Sequence, residues 1–353
     1  MATIQRTLRS LPRIQARRKN PWGIPGLGLG FSSRTAARET RETVQSGPAL
    51  PIKLPKTGAF VPPEGKHVND RDLWRLVEMI ERSEGKTLVI TGAGVSTESG
   101  IPDYRSPEGS YSKGHKPMTH QDFTKREHNR KRYWARSLLG WRYFDSVAPS
   151  FPHYSLADLE AKDHIHGIVT QNVDRLHLRA GSRNVVELHG HNDHVQCLSC
   201  GHRRPRNEYQ LLLEEVNRDW AERNFAPVKE ADIRADGDAH LSNEDFHEFS
   251  VPSCDACGDG ILMPTVVFFG GSIPVEVKDR AMELVQQAKS MLILGSSCQV
   301  FSVYRLALAA RKADKDFPIA LVNIGGTRVD PLATFKLEAQ CGRVLRALSR
   351  ALE

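Results

Sequence analysis

Four of the six cysteines stand as two C-x-x-C pairs, Cys197-x-x-Cys200 and Cys254-x-x-Cys257, each followed by a glycine, Gly201 and Gly258. Paired knuckles of this kind hold zinc in a tetrahedron of thiolates. Four thiolates fill the coordination sphere and leave no position for a water. One structural Zn2+ is therefore expected rather than a hydrolytic metal. A redox dithiol would account for one pair and not for two. Disulfides are disfavoured because no secretory signal follows Met1.

A second group of residues suits a phosphate. Residues 86–91 read as a short buried strand and run into Gly92-Ala93-Gly94-Val95-Ser96-Thr97. Glycines there let the backbone approach a pyrophosphate, and a following helix N-terminus would aim its N–H groups at the anion. The dehydrogenase fingerprint asks for a further glycine where this chain has Thr97, and for an acid about 20 residues on that has no good counterpart here. The next residues, Glu98-Ser-Gly100-Ile-Pro102-Asp103-Tyr104-Arg105, have the chemistry of a loop, so hydride transfer is disfavoured. The upstream run Gly26-Leu-Gly28-Leu-Gly30 has no strand before it and no helical pattern after it, and reads as flexible chain.

These groups need a scaffold. Leu73, Leu76, Val77 and Ile80 have helical spacing from about Asp70 to Ser83, with Gly85 closing the helix. Strand-length apolar runs recur at residues 165–170, 185–188, 291–294 and 319–323, and helical stretches cover 275–289 and 300–313. Strands alternating with helices imply an α/β fold, a Rossmann-like doubly wound parallel sheet. Two segments interrupt the rhythm. Residues 106–154, basic and aromatic, read as a helical and cofactor-loop module, and 194–261, holding both cysteine pairs, as an inserted small zinc-binding domain. The large Rossmann-like part then comprises 61–105, 155–193 and 262–353, after a leader and linker over 1–60.

The net charge of +7 resembles a nucleic-acid footprint until its distribution is considered. Eight basic residues (Arg6, Arg9, Arg13, Arg17, Arg18, Lys19, Arg34, Arg38) precede the first acid, Glu39. Setting them aside leaves 41 Lys+Arg against 42 Asp+Glu, a body of net charge −1 that offers a phosphate backbone little. The acid-free leader places Ile4, Leu8 and Leu11 near one helical face with arginines displaced from it, which suits a mitochondrial transit peptide and a matrix location. The longest apolar runs are strand-length, so no membrane span is expected.

The strings GAGVSTESGIPDYRS (92–106), TQNVDRLH (170–177), ELHG (187–190), GSS (295–297) and NIG (323–325) occur in one order, with both cysteine pairs in the interval between. In these blocks, from about residue 60 to the C-terminus, the chain resembles the sirtuin family, class II, in its mitochondrial sirtuin-four-like branch. The resemblance implies that Gly92, Ala93 and Gly94 cradle the NAD pyrophosphate. It further implies that Asp103, Tyr104 and Arg105 form a mobile loop over the nicotinamide ribose, with Tyr104 shielding the anomeric carbon from water. Gln171, Asn172 and Asp174, past the end of a predicted strand, would bind ribose hydroxyls and the carboxamide. Gly295, Ser296 and Ser297 would touch ribose and phosphates. Asn323 and Gly325 would hold the adenosine side, with Cys341 near the adenine. Val267, Phe268, Phe269 and Gly270 would pair with the substrate peptide by β-augmentation. The acid that many sirtuins carry next is Gly271 here.

The ELHG block singles out His189 among 14 histidines as the catalytic base, an imidazole titrating near neutrality, with Asn172 and Asp174 as catalytic partners. His191, His194 and Cys298 are read as structural. The resemblance thus implies an NAD-consuming protein-lysine deacylase. In it, the acyl-lysine oxygen displaces nicotinamide, a ribose hydroxyl attacks, and water releases lysine and O-acyl-ADP-ribose. Protein mono-ADP-ribosyl transfer is the alternative from the same pocket, and a non-catalytic NAD-sensing scaffold is a third reading. Sirtuins that remove dicarboxylic acyl groups resemble one another in a Tyr-x-x-Arg after the cofactor loop; Tyr111-Ser-Lys113-Gly114 lacks the arginine. Neutral acyl chains are therefore expected, including long or lipoyl-like ones, on acylated-lysine proteins, with no nucleic-acid or membrane partner.

Overall fold

A computed structural model describes residue 65 and residues 68–224, 233–240 and 246–353. The leader and linker expected over 1–60, with the glycine run at 26–30, lie outside those residues.

Asn69 caps the first helix, α1 (Asp70–Arg82), by accepting the Asp72 N–H at 2.8 Å, and Leu76, Val77, Met79 and Ile80 turn inward. Five buried residues then form β1 (Thr87–Thr91). The chain leaves the sheet through α2 (His120–Lys125), α3 (Glu127–Ser146) and α4 (Phe151–Ala161), and returns as β2 (Ile165–Thr170). After α5 (Leu176–Arg179) and β3 (Val185–Glu187) it builds a second unit from β4 (Gly190–Cys197), β5 (Arg203–Pro205), α6 (Arg206–Val216), α7 (Arg218–Asn224) and β6 (Leu262–Val266). The chain closes with α8 (Val275–Gln287), β7 (Ser290–Leu294), α9 (Phe301–Ala313), β8 (Ile319–Val322), β9 (Phe335–Leu337) and α10 (Cys341–Ala351).

The large sheet is wholly parallel, in the order β3-β2-β1-β7-β8-β9. Side chains alternate along β1: Val89 joins α1, α4 and α10 on one face, while Leu88 and Ile90 join α8 and α9 on the other. Both faces are covered, which is why the strands read as continuous apolar runs. Consecutive strands spread to one side of β1, and β7 lies on its other side. The strand order therefore reverses between β1 and β7, where open α/β sheets bind ligands beyond their carboxyl ends.

The smaller sheet is antiparallel, β5-β4-β6. β6 begins at the residue where the large part was expected to resume, yet it pairs with β4 in the small sheet. Beneath lies an aromatic core in which the Trp134 and Tyr209 rings meet edge-on at 4.8 Å, and the buried Arg206 guanidinium rests 4.7 Å from the Trp141 ring. The polar stretch between the cysteine pairs contributes α6, α7 and a turn bridged at Ile233 and Ala239, whose Ala239 N–H donates to the Arg136 carbonyl at 3.1 Å. Among the described residues no helix is long and apolar enough to cross a membrane.

Candidate active site

The strand-order reversal places two tight loops back to back. The Gly92 N–H donates to the Leu294 carbonyl at 3.1 Å and the Gly94 N–H to the Gly295 carbonyl at 2.9 Å. A Cβ on Gly94 would stand 2.8 Å from the Gly295 Cα, so this approach needs glycine on both sides, and Gly295 has φ +58°. Gly92, Ala93 and Gly94 face Gly295, Ser296 and Ser297 across the floor of a cavity of about 690 Å³. The α-helix expected to follow the glycines is absent: two 3-10 turns, Ala93–Val95 and Thr97–Ser99, take its place before Gly100 turns the chain at φ +93°.

Asn323, Gly325 and Cys341 line the same cavity. The Asn323 amide donates to the carbonyls of Ile324 at 2.9 Å and Gly325 at 3.2 Å, which sets the turn after β8. Cys341 opens α10, and its thiol is pushed up to about 12 by burial and the nearby Glu98 charge, so it packs as a neutral group. Cys298 is likewise buried, as expected.

The Asp103–Arg105 segment also lines the cavity. Asp103 Oδ1 accepts the N–H groups of Arg105 at 2.9 Å and Ser106 at 2.8 Å. Tyr104 packs on Tyr111 with centroids 5.3 Å apart, and the exposed Arg105 guanidinium lies 5.1 Å from the Tyr111 ring. Burial, with the Asp236 charge, pushes the Tyr104 phenol well above its usual range.

Behind the floor, polar side chains at the end of β2 form a network. Gln171 Nε2 donates to Ser296 Oγ at 2.7 Å and to the Thr91 carbonyl at 3.1 Å. Asn172 Nδ2 donates to Ser96 Oγ at 3.0 Å and to the Gly92 carbonyl at 3.2 Å. Ser96 in turn donates to Asp174 Oδ2 at 2.7 Å. Gln171 and Asn172 reach the cavity, whereas Asp174 sits one bond behind it.

His189 stands at the junction of the two sheets. Its Nδ1 lies 3.2 Å from the Gln171 carbonyl, an acceptor only, so Nδ1 carries the proton. Nε2 then holds the lone pair and accepts from Ser302 Oγ at 2.8 Å. Burial pushes the ring down to about 4, so it is neutral and basic at Nε2 rather than titrating near neutrality as the motif alone suggests. Val267 is tied to it, its N–H donating to the His189 carbonyl at 2.8 Å. Beyond β6 the chain is bridged to Thr119 at Phe269 and turns at Gly270, φ +74°, where the Gly271 N–H donates to the Phe268 carbonyl at 2.9 Å.

The inner wall carries charges. Arg132, Arg136, Arg234, Asp236 and Asp238 line the cavity, and His115 Nε2 lies 3.4 Å from Asp236 Oδ2. Burial would raise the Asp236 carboxyl, but the adjacent His115 ring and the Arg234 charge hold it below its usual range. Burial and the Asp236 charge push Asp238 well up, against the pull of Arg234 and Arg136. Tyr133 and Arg136 stand one turn apart on α3 and both face this wall, so the chain does contain a Tyr-x-x-Arg, although not at Tyr111.

The cysteines fit a metal. The four Sγ atoms of Cys197, Cys200, Cys254 and Cys257 lie within 4.8 Å of one another, with Cys197–Cys257 at 3.7 Å and Cys200–Cys254 at 3.8 Å. A tetrahedron with Zn–S bonds of about 2.3 Å has edges of about 3.8 Å. Gly260 closes the site: a Cβ there would lie 2.2 Å from Cys197 Sγ. The cluster lies outside the residues that line the cavity.

The Sir2 family model matches residues 92–302. The chain belongs to the Sir2 family. NAD-dependent protein deacetylase 2 of Bradyrhizobium diazoefficiens is 47% identical over 263 residues, 74% of this chain and 93% of the relative. NAD-dependent protein lipoamidase sirtuin-4, mitochondrial, of Bos taurus is 42% identical over 296 residues, 83% of this chain and 90% of the relative. The solved structure of Sir2Tm bound to a propionylated peptide is similar at a TM-score of 0.61 and 28% identity, over 79% of this chain and 98% of that one.

The family motifs thus converge on one cavity, and three residues without a role expected from the sequence support it: Ser302 lines it, while Ser96 and His153 lie behind its floor. Ser96 lies inside the glycine-loop motif; nothing local in the sequence marks the other two.

Three histidines in this region, His153, His177 and His189, are pushed down by burial to about 3, 3 and 4. Unfolded, each titrates near ~6.5, so the folded state favours the neutral rings. The resulting stability is fully present above ~6.5 and is lost as pH falls through that value toward the folded pKa, at roughly 1 kcal/mol per pH unit for each ring. The buried carboxyls of Glu187, raised to about 7, and Asp238 work the other way in this range, and the rings outweigh them, so the melting temperature of the NAD-free protein is expected to fall between pH 7 and 5. A flat profile there would contradict the neutral burial of these rings.

Proposed function

We propose that this Sir2-family chain is an NAD-dependent protein-lysine deacylase, with His189 as base. NAD is a co-substrate: the acyl-lysine oxygen replaces nicotinamide on its ribose, water releases lysine, and the acyl group leaves on ADP-ribose. The observation that carries this reading is the tautomer of His189. With Nδ1–H held by the Gln171 carbonyl, Nε2 is the atom that takes a ribose hydroxyl proton, and the same carbonyl steadies the imidazolium that forms. Ser302 keeps Nε2 aimed until a substrate hydroxyl takes its place.

The remaining roles accord with the geometry. The facing glycine loops hold the pyrophosphate, with Ser296 and Ser297 beside it. Asn172 has both amide hydrogens engaged, leaving its oxygen to accept from the ribose or carboxamide. Asp174 acts through Ser96. Asp103, Tyr104 and Arg105 cover the ribose, Asn323, Gly325 and Cys341 bound the adenosine end, and Val267 to Gly270 receive the peptide. The four cysteines hold one zinc that stabilises the small sheet and takes no part in the chemistry. We further read residues 1–60 as a leader and linker directing the chain to the mitochondrial matrix, an address in keeping with the name of the bovine relative. Residues 61–353 form the catalytic domain, without nucleic-acid or membrane partners.

For the acyl group, the wall that carries Arg132, Arg136 and Arg234 also carries Asp236, whose carboxyl is held below its usual range and so stays ionised. A further carboxylate would meet the Asp236 charge. Neutral acyl-lysines, lipoyl-lysine among them, are therefore expected to be turned over at least about tenfold faster in kcat/KM than succinyl-lysine, ~1.4 kcal/mol in barrier. An acyl-peptide panel with NAD tests this. Succinyl-lysine as the best substrate would mean that Tyr133 and Arg136 act as an acid-binding pair after all.

A further inference from the structure

The histidine at position 153 touches neither the cavity nor any group discussed as reacting, yet the polar network behind the cavity floor ends on it. We infer that His153 is a positioning residue that fixes the direction of the hydrogen bonds holding Asn172 and Asp174, an inference that rests on the proposed roles of that pair in holding NAD.

The relay starts at the first turn of α4. Ser150 caps this helix in a reciprocal capping box with His153, and the Ser150 backbone N–H donates to His153 Nδ1 at 3.2 Å. A backbone N–H can only donate, so Nδ1 holds a lone pair and the proton of the neutral ring sits on Nε2. Nε2 lies 3.3 Å from Ser96 Oγ and therefore donates to it. Ser96 also receives an N–H from Asn172 at 3.0 Å. With both lone pairs occupied, its single proton goes to Asp174 Oδ2 at 2.7 Å. The other Asp174 oxygen accepts the Leu176 N–H at 2.9 Å. No rotor in this relay is left free: a helix cap sets a tautomer, and the tautomer sets which way a serine hydroxyl points under the cofactor floor. His153 is fully buried and Ser96 nearly so, which shields the relay from water. The same burial keeps the ring neutral, at about 3.

Two measurements test this. First, imidazole 15N spectra of the wild-type protein, with His153 assigned by its loss in H153Q, should show protonated Nε2 and unprotonated Nδ1. The opposite tautomer would overturn the inference, whether or not the chain deacylates anything. Second, NAD affinity is measured by calorimetry for three variants. H153F keeps a ring without donor or acceptor and should weaken NAD binding about tenfold. H153Q, which restores a donor near Nε2, should recover to within about threefold of wild type. Ser150→Ala removes the cap hydroxyl but keeps the backbone donor, and should lower the melting temperature with NAD affinity unchanged. Equal losses in H153F and H153Q, or an H153F protein that binds NAD as wild type does, would show a packing role only. If H153F does not fold, the tautomer and the H153Q affinity decide between the two outcomes. Absence of deacylation in the wild type would instead count against the proposed activity, and leaves both readouts intact.

Discussion

Replacing His189 by alanine is expected to leave a folded, NAD-binding protein whose turnover falls by about two to four orders of magnitude, the usual contribution of a general base. The residue is partly exposed to the cavity, so its removal opens space that water can fill rather than a hole in a close-packed core. The glycine loops and the Gln171 amide bond to Ser296 do not depend on the ring, so NAD affinity should change little. Because the imidazole is neutral at Nε2 well below pH 7, wild-type turnover should keep its base form down to mildly acid pH. A His189→Ala protein with wild-type kcat would move the base elsewhere, and among the described cavity residues no second imidazole has the same bonded pair of nitrogens.

Cys254→Ser is expected to act on stability rather than directly on chemistry. Cys254 is fully buried within the aromatic core of the small unit, and its sulfur lies 3.8 Å from that of Cys200. Structural zinc sites in small peptides contribute apparent free energies of about 10–16 kcal/mol, so loss of one thiolate should withdraw a large share of the small sheet's stability. Zinc content measured by atomic emission should fall well below one per chain, with a lower melting temperature that added zinc does not restore. Full zinc occupancy in the variant would remove Cys254 from the ligand set. Because β4 starts next to His189 and ends at Cys197, unfolding of this sheet should also disturb β6 and the chain that follows it. Activity lost in proportion to folded protein is therefore consistent with a structural metal.

Features encoded contiguously are legible in the sequence. The glycine loop, the Gln171-Asn172 pair, His189 and the cysteine knuckles each sit within a few residues of their own motif, and the parallel strands announce themselves as apolar runs because both faces are covered. The antiparallel sheet does not: β4 is rich in His, Asn, Asp and Gln, with no alternation to mark it, because it borders the cavity and the metal site rather than a simple core. Ser302 and His153 gain meaning only through partners 113 and 57 residues away. Tyr133 and Arg136 are readable in principle. Their spacing is local, but only the direction of α3 shows that both reach the cavity. The low titration of His189 is hidden from the sequence for the same reason, since burial is a property of the assembled pocket.

Whether acyl transfer from lysine to ADP-ribose occurs in this one cavity is tested most directly by incubating the protein with NAD and a neutral acyl-lysine peptide and quantifying the products by mass spectrometry. Nicotinamide, deacylated peptide and O-acyl-ADP-ribose should appear in equal amounts. Nicotinamide accompanied by ADP-ribosylated protein, with the peptide still acylated, would contradict it.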